Sequence, residues 1–178
     1  MGTGQIVTVI VALVLLGVVS LRTNTMMLSK SQTMYDSEAS LDAVSYAQTL
    51  IDEIMTKSFD AVTITQKVFN ASDFTSASGL GPNASEAKLV PLPDSGNTFN
   101  SIQNYNDVDD YNGYQRKVTN SRMGTFTLNV GILYVSETKP DQQTSSQTFF
   151  KKIVVTVTQA NMSKPLFLSD IAIYRRYF

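Results

Sequence analysis

Ile6-Val7-Thr8-Val9-Ile10-Val11-Ala12-Leu13-Val14-Leu15-Leu16-Gly17-Val18-Val19 is almost wholly aliphatic, and no side chain from Met1 to Leu21 is charged. Twenty-one residues at about 1.5 Å rise make a helix of roughly 31 Å, close to the hydrocarbon thickness of a bilayer, about 30 Å. The segment is therefore long enough to span a membrane. A cleavable secretory signal would open with a basic stretch and close on a small-residue cleavage site. Met1-Gly2-Thr3-Gly4-Gln5 has no basic side chain, and Ser20-Leu21-Arg22-Thr23 makes a poor cleavage site, so a retained helix is expected.

Working outward, no glycine or proline falls between Val18 and Ser78. Met27, Met34 and Leu41 lie seven apart, and Val44, Ile51, Ile54 and Met55 continue at spacings of three, four and seven, which form one helical stripe. Lys30, Asp36, Glu38, Asp42, Asp52 and Lys57 occupy the other face. The spacing predicts an apolar half-helix (1–24) running into an amphipathic half (25–58), together about 55 residues and roughly 80 Å. The second half, from about Leu41, is expected to pack on the domain that follows. For Met27 to Met34, packing between neighbouring subunits fits equally well.

The rest of the composition removes chemistry. The 178-residue chain has 14 basic and 15 acidic side chains and no His, Cys or Trp. Disulfides, thiol nucleophiles, iron–sulfur ligation, the usual zinc sites and Ser-His-Asp triads are unavailable. A net charge of −1 supplies no field for nucleic acid, with Lys117, Lys151, Lys152, Arg175 and Arg176 as local basic exceptions. Neither a Ser-x-x-Lys nor a Gly-x-Ser-x-Gly nucleophile is present. The reading is of a protein that is not an enzyme, with no nucleic-acid partner.

After residue 58 the pattern becomes that of a β-rich head, 59–178. Ala61-Val62-Thr63-Ile64-Thr65 suits a short strand or connection. Residues 70–104 are rich in Ser, Asn, Gly and Pro and predict a long surface loop. Thr125 to Val135 alternates Phe126, Leu128, Val130, Ile132 and Tyr134 against polar or small partners, the pattern of a strand buried on one face. Phe149 to Gln159 returns with Ile153, Val155 and Val157 inward, and the two form a hairpin with Pro140-Asp141 in its turn. Tyr114 to Thr119 adds a strand before it and Ala172 to Tyr177 one after Pro165. The expected fold class is α+β: a long N-terminal helix packed against a C-terminal antiparallel sheet of about four strands.

An apolar half-helix running into an amphipathic half-helix and then a β-rich head resembles the plan of type IV pilins and type II secretion pseudopilins. Met1-Gly2-Thr3-Gly4-Gln5-Ile6-Val7 is similar to the start of a mature pilin after prepilin peptidase has removed a short basic leader. Ser45 to Asp60 is similar to the helix end of many pilin-like proteins, and Asn106-Asp107-Val108-Asp109-Asp110-Tyr111-Asn112-Gly113 to a loop in some of them. The resemblance implies an N-methylated Met1 and assembly through Met1, Gln5, Ile6, Ile10, Leu13, Leu16 and Gly17. It implies a helical filament of identical subunits at the cell surface, serving adhesion, motility or attachment. The filament would be built by the pilus assembly machinery from an inner-membrane precursor. Minor-pilin and pseudopilin roles, or a single-pass anchored binding protein, remain alternatives.

The chain departs from the family at two places. Pilins usually carry glutamate where this chain has Gln5; a neutral amide is cheaper to bury and still accepts a hydrogen bond from an ammonium. Many also have a proline near residue 22, replaced here by Leu21-Arg22-Thr23. Gly17 is then the weak point, since glycine costs about 1 kcal/mol relative to alanine in a helix. The helix is expected either to continue or to unwind briefly near it.

Asp107, Asp109 and Asp110, with Asn106 and Asn112, supply the hard oxygen ligands that suit calcium, though not at EF-hand spacing. Their other reading is a solvated turn leading into Tyr114. No other cofactor is expected. The end, Tyr174 to Phe178, reads as a final strand or as an adhesive aromatic and cationic patch.

Overall fold

A computed structural model of the protein describes residues 2–83, 86 and 100–175. Met1, much of the expected 70–104 loop (84–85 and 87–99) and tail residues Arg176, Tyr177 and Phe178 lie outside the described residues. The chain divides into two compact units, Met1–Glu38 and Ala39–Phe178.

Helix α1 spans Thr3–Met55, and its first part makes up the first unit. Helical structure is maintained through Gly17, so the first of the two expectations for that position holds. Continuity follows from the absence of any proline to remove a donor. Hydroxyls in this stretch bond back onto the helix: Thr8 Oγ1 donates to Gly4 O at 2.9 Å and Thr23 Oγ1 to Val19 O at 2.9 Å. Each such bond satisfies a polar group without water, which is what an apolar surrounding demands.

In the second unit, residues 39–55 of α1 pack against a four-stranded antiparallel sheet of order β1-β2-β3-β4, formed by Gln115–Asn120, Gly124–Tyr134, Phe150–Gln159 and Leu166–Ile173. Each strand pairs with the next, as in Leu128 with Val157 and Val155 with Leu168. The inward residues of β2 and β3 are the expected ones: Phe126, Leu128, Val130, Ile132, Tyr134, Ile153, Val155 and Val157 are all buried.

The helix face against them matches the expected stripe only in part. Leu41 is 73% exposed, and Val44 and Met55 are also exposed, while Ala39, Ala43, Ala47, Leu50, Ile51 and Ile54 are buried. Small alanines at four-residue spacing leave room for the bulky side chains of β2, so that Tyr46, at the border, meets Phe126 edge-on at 5.2 Å. Ile51 and Ile54 of the expected stripe are buried, but counting only large apolar residues put Leu41, Val44 and Met55 on the packed face in place of the alanines.

Two further boundaries differ. Ala61–Thr65 is a short helix, α2, rather than a strand. Asp60 caps it: its carboxylate accepts from Val62 N, and its own N–H donates to Thr63 Oγ1 at 3.1 Å. That reciprocal cap outweighs the β preference of Val, Thr and Ile. The last strand, β4, begins at Leu166, directly after Pro165, and ends at Ile173, whereas Ala172 to Tyr177 was the expected span. It ends because Tyr174 turns inward onto Phe59, Phe74 and Phe149, with centroids 5.7, 5.4 and 6.2 Å away, while its hydroxyl accepts from Val68 N.

Candidate functional site

Two features stand out, one in each unit. In the first, the assembly residues expected from the sequence and lying within the described region, Gln5, Ile6, Ile10, Leu13, Leu16 and Gly17, are all helical and all exposed. Every large apolar side chain from Ile6 to Leu28 is at least 48% exposed. The helix is long and apolar enough to cross a membrane. So large a contiguous apolar surface marks a place where lipid or protein is to be met.

In the second unit the polar chemistry is buried. Lys151 on β3 is fully buried, and its Nζ donates to Phe59 O at 2.7 Å, Asp60 Oδ2 at 2.9 Å and Asp109 Oδ1 at 2.7 Å. The rings of Phe59 and Tyr134 flank the same nitrogen, 4.6 and 5.4 Å from it. Lys151 is thus no surface charge. Its inward direction follows from the strand alternation that also turns Ile153, Val155 and Val157 inward, a signal present in the sequence.

The acidic run is not a solvated turn either. Asp107, Asp109 and Asp110 are all buried, and the carboxylates of Asp107 and Asp110 hold the backbone of their own loop. Asp107 Oδ1 accepts from Asp109 N at 2.9 Å and Asp110 N at 3.3 Å. In return, Asp110 Oδ2 accepts from Asn106 N at 2.9 Å and Asp107 N at 3.1 Å. The loop is pinned beside α1's end by Ser58, whose O accepts from Val108 N at 2.9 Å.

Burial, and after it the neighbouring Asp109 carboxyl, push the Asp107 carboxyl up to about 9. Burial and the neighbouring Glu86 carboxyl raise Asp110 to about 7. Asp107 Oδ2 and Asp110 Oδ1 have no protein hydrogen-bond partner. As for calcium, no group of three or more acidic side chains among the described residues is arranged to hold a metal ion. Asp109 is instead committed to Lys151.

A second buried pair lies nearby. Arg116 Nη2 donates to both carboxylate oxygens of Glu53 in the last turns of α1, at 2.8 and 2.7 Å. Ser101 Oγ and Tyr111 OH also donate to Glu53 Oε1, each at 2.8 Å. Burial, then the Glu53 charge, raise the Tyr111 phenol well above its ordinary value, so it remains a donor. Tyr105, Tyr111 and Tyr114 pack edge-to-face around this pair.

These clusters join distant segments, so they read as locks on the fold. No protein-family model matches the chain, and no curated protein or solved structure matches it either.

Proposed function

We propose that this chain is the structural subunit of an extracellular type IV pilus-like filament. In this reading the apolar helices of neighbouring copies pack together and the sheet-bearing units face outward. The observation that carries the reading is the apolar surface of α1 from Ile6 to Val19, which none of the described residues covers. The mechanism is lateral helix packing in a polymer whose interfaces are heterologous and do not close.

Cohesion then comes from removing apolar surface from water or lipid, at about 25 cal/mol per Å² against water. Gln5 takes part as a neutral hydrogen-bonding group, a weaker registration device than a carboxylate. Before assembly the same segment resides in the membrane as an anchor.

Negative-stain electron microscopy of material sheared from cells, combined with mass spectrometry of the subunit and its N-terminus, tests the proposal. Thin fibres made mainly of this chain with a methylated N-terminus are expected. A methylated start with few fibres assigns a minor-pilin or secretion role. An unmethylated chain confined to membranes overturns the filament reading in favour of an anchored monomer.

A further inference from the structure

Lys151 Nζ and the carboxyl of Asp109 approach to 2.7 Å with both side chains buried, a second carboxylate, Asp60, stands 2.9 Å from the same nitrogen, and Asp107 Oδ1 accepts from Asp109 N at 2.9 Å. A lysine and a carboxylate held this way in water would remain an exchanging ion pair. Here the surroundings differ. The ion pair is walled by Phe59 and Tyr134, and neither Lys151 nor Asp60 has any solvent exposure.

We propose that Lys151 and Asp109 are the two ends of an autocatalytic intramolecular isopeptide bond, a covalent staple in a chain with no cysteine. Three features of the site support the reaction. Desolvation destabilises the separated charges relative to neutral amine and acid. Asp60 is placed to take a proton from Nζ, which frees the nitrogen lone pair. Asp107, raised to about 9, carries its proton at neutral pH, and its side chain reaches Asp109, from whose backbone N–H it accepts at 2.9 Å, with Oδ2 left without a protein partner to supply the proton.

The step balances. The Nζ lone pair attacks Asp109 Cγ, and Asp107 protonates a carboxyl oxygen of Asp109 as the tetrahedral centre forms. That oxygen leaves as water when the C–N bond becomes an amide. Nζ keeps one proton, two of its protons leave in the water after relay through Asp60 and Asp107, and Asp107 ends with the proton it began with. No oxidant, cofactor or second substrate is needed.

Intact-mass spectrometry of the denatured full-length chain reads the outcome directly. The expected mass lies about 18 Da, one water, below that of the sequence carrying the same terminal processing. Proteolysis should yield a branched peptide joining residues 151 and 109. Lys151→Met should restore the full mass for its own sequence, and Asp109→Asn should lose ammonia instead, about 17 Da, through the same bond. Asp107→Asn should lower the bonded fraction without moving the branch point. A wild-type chain at full mass, with Lys151 recovered in linear peptides, overturns the proposal and leaves the site a buried ion pair, whatever filaments the chain forms. A branch from Lys151 to residue 60 also overturns the choice of Asp109.

Discussion

Glu53, in the last turns of α1, and Arg116, on β1, form an ion pair at 2.7 Å, with the Arg116 side chain 3% and the Glu53 side chain 11% exposed. The pair clamps the helix end to the edge of the sheet and gathers Ser101 and Tyr111 around the same carboxylate. Its consequence is asymmetric: removing one partner strands the other's charge in the interior, which costs about 3–5 kcal/mol, whereas removing both does not. Glu53→Leu alone should therefore lower the melting temperature sharply, and Glu53→Leu with Arg116→Leu should recover much of the loss. Circular-dichroism melts of the detergent-solubilised chain check this; a double variant as unstable as the single one would mean that the charges themselves are not the issue.

The apolar surface of the first unit sets a second expectation. Leu13 is 62% exposed and contacts no core, so Leu13→Asp should leave the melting of the sheet-bearing unit within about 0.5 kcal/mol of wild type. It should nevertheless abolish filaments, because a carboxylate would be desolvated at every subunit contact. Microscopy of sheared fractions beside melts of the solubilised protein separates the two effects. Normal fibres from this variant would refute a core built from these helices.

The helix face against the sheet gives a third. Ala43 is completely buried, and Ala43→Leu overfills the contact at a cost of about 1–3 kcal/mol. Leu41→Ala, on the exposed side, should change stability by less than about 0.5 kcal/mol. Chemical denaturation of the two variants measures which face the helix presents. The reverse ranking would put Leu41 back in the core.

The fourth concerns pH. Asp107 ionises near its ordinary 3.8 when unfolded and about 9 when folded. Between those values the folded chain binds the extra proton, so this group's contribution to stability falls as pH rises through that window. For Asp110 the window closes at about 7. Asp107→Asn keeps the oxygen that accepts from Asp109 N and Asp110 N but cannot ionise, so its melting temperature should fall less than that of wild type between about pH 5 and pH 9. Calorimetry over that range gives the slope for each. Parallel slopes would mean that Asp107 ionises in the folded state as freely as in the unfolded one.

Much of this architecture was legible in the residues. The period-2 pattern of Phe126 to Tyr134 and Ile153 to Val157 identified the central hairpin and its buried face, because alternation maps directly onto the pleat. The long helix was legible from unbroken apolar and amphipathic runs. The docking face was legible only at Ile51 and Ile54, since alanine carries too little hydrophobicity to outweigh Leu41 or Met55 in a periodicity count, yet its smallness decides the contact. Val62, Thr63 and Ile64 suggested extended chain because the cap at Asp60 is a local bond that propensity does not see. Lys151 stood on an inward position of its strand but was counted only as a local basic exception, and its partners, like the Glu53 that meets Arg116, come from segments that no local pattern brings together. The carboxylates of the 107–110 loop suggested solvent or calcium for the same reason.

The route by which the chain closes follows from those distances. The sheet is a meander whose neighbours are successive in sequence, so each pairing closes a modest loop. Lys151 must instead find Asp109 across 42 residues and Asp60 across 91. Loop-closure entropy places that event after the hairpins have formed, and burying the lysine before its carboxylates arrive would leave an unpaired charge in the interior. The three-way junction is therefore expected to close after the sheet pairs, and a chain in which the Lys151 side chain has not yet met Asp60 and Asp109 holds its strands but leaves that joint open.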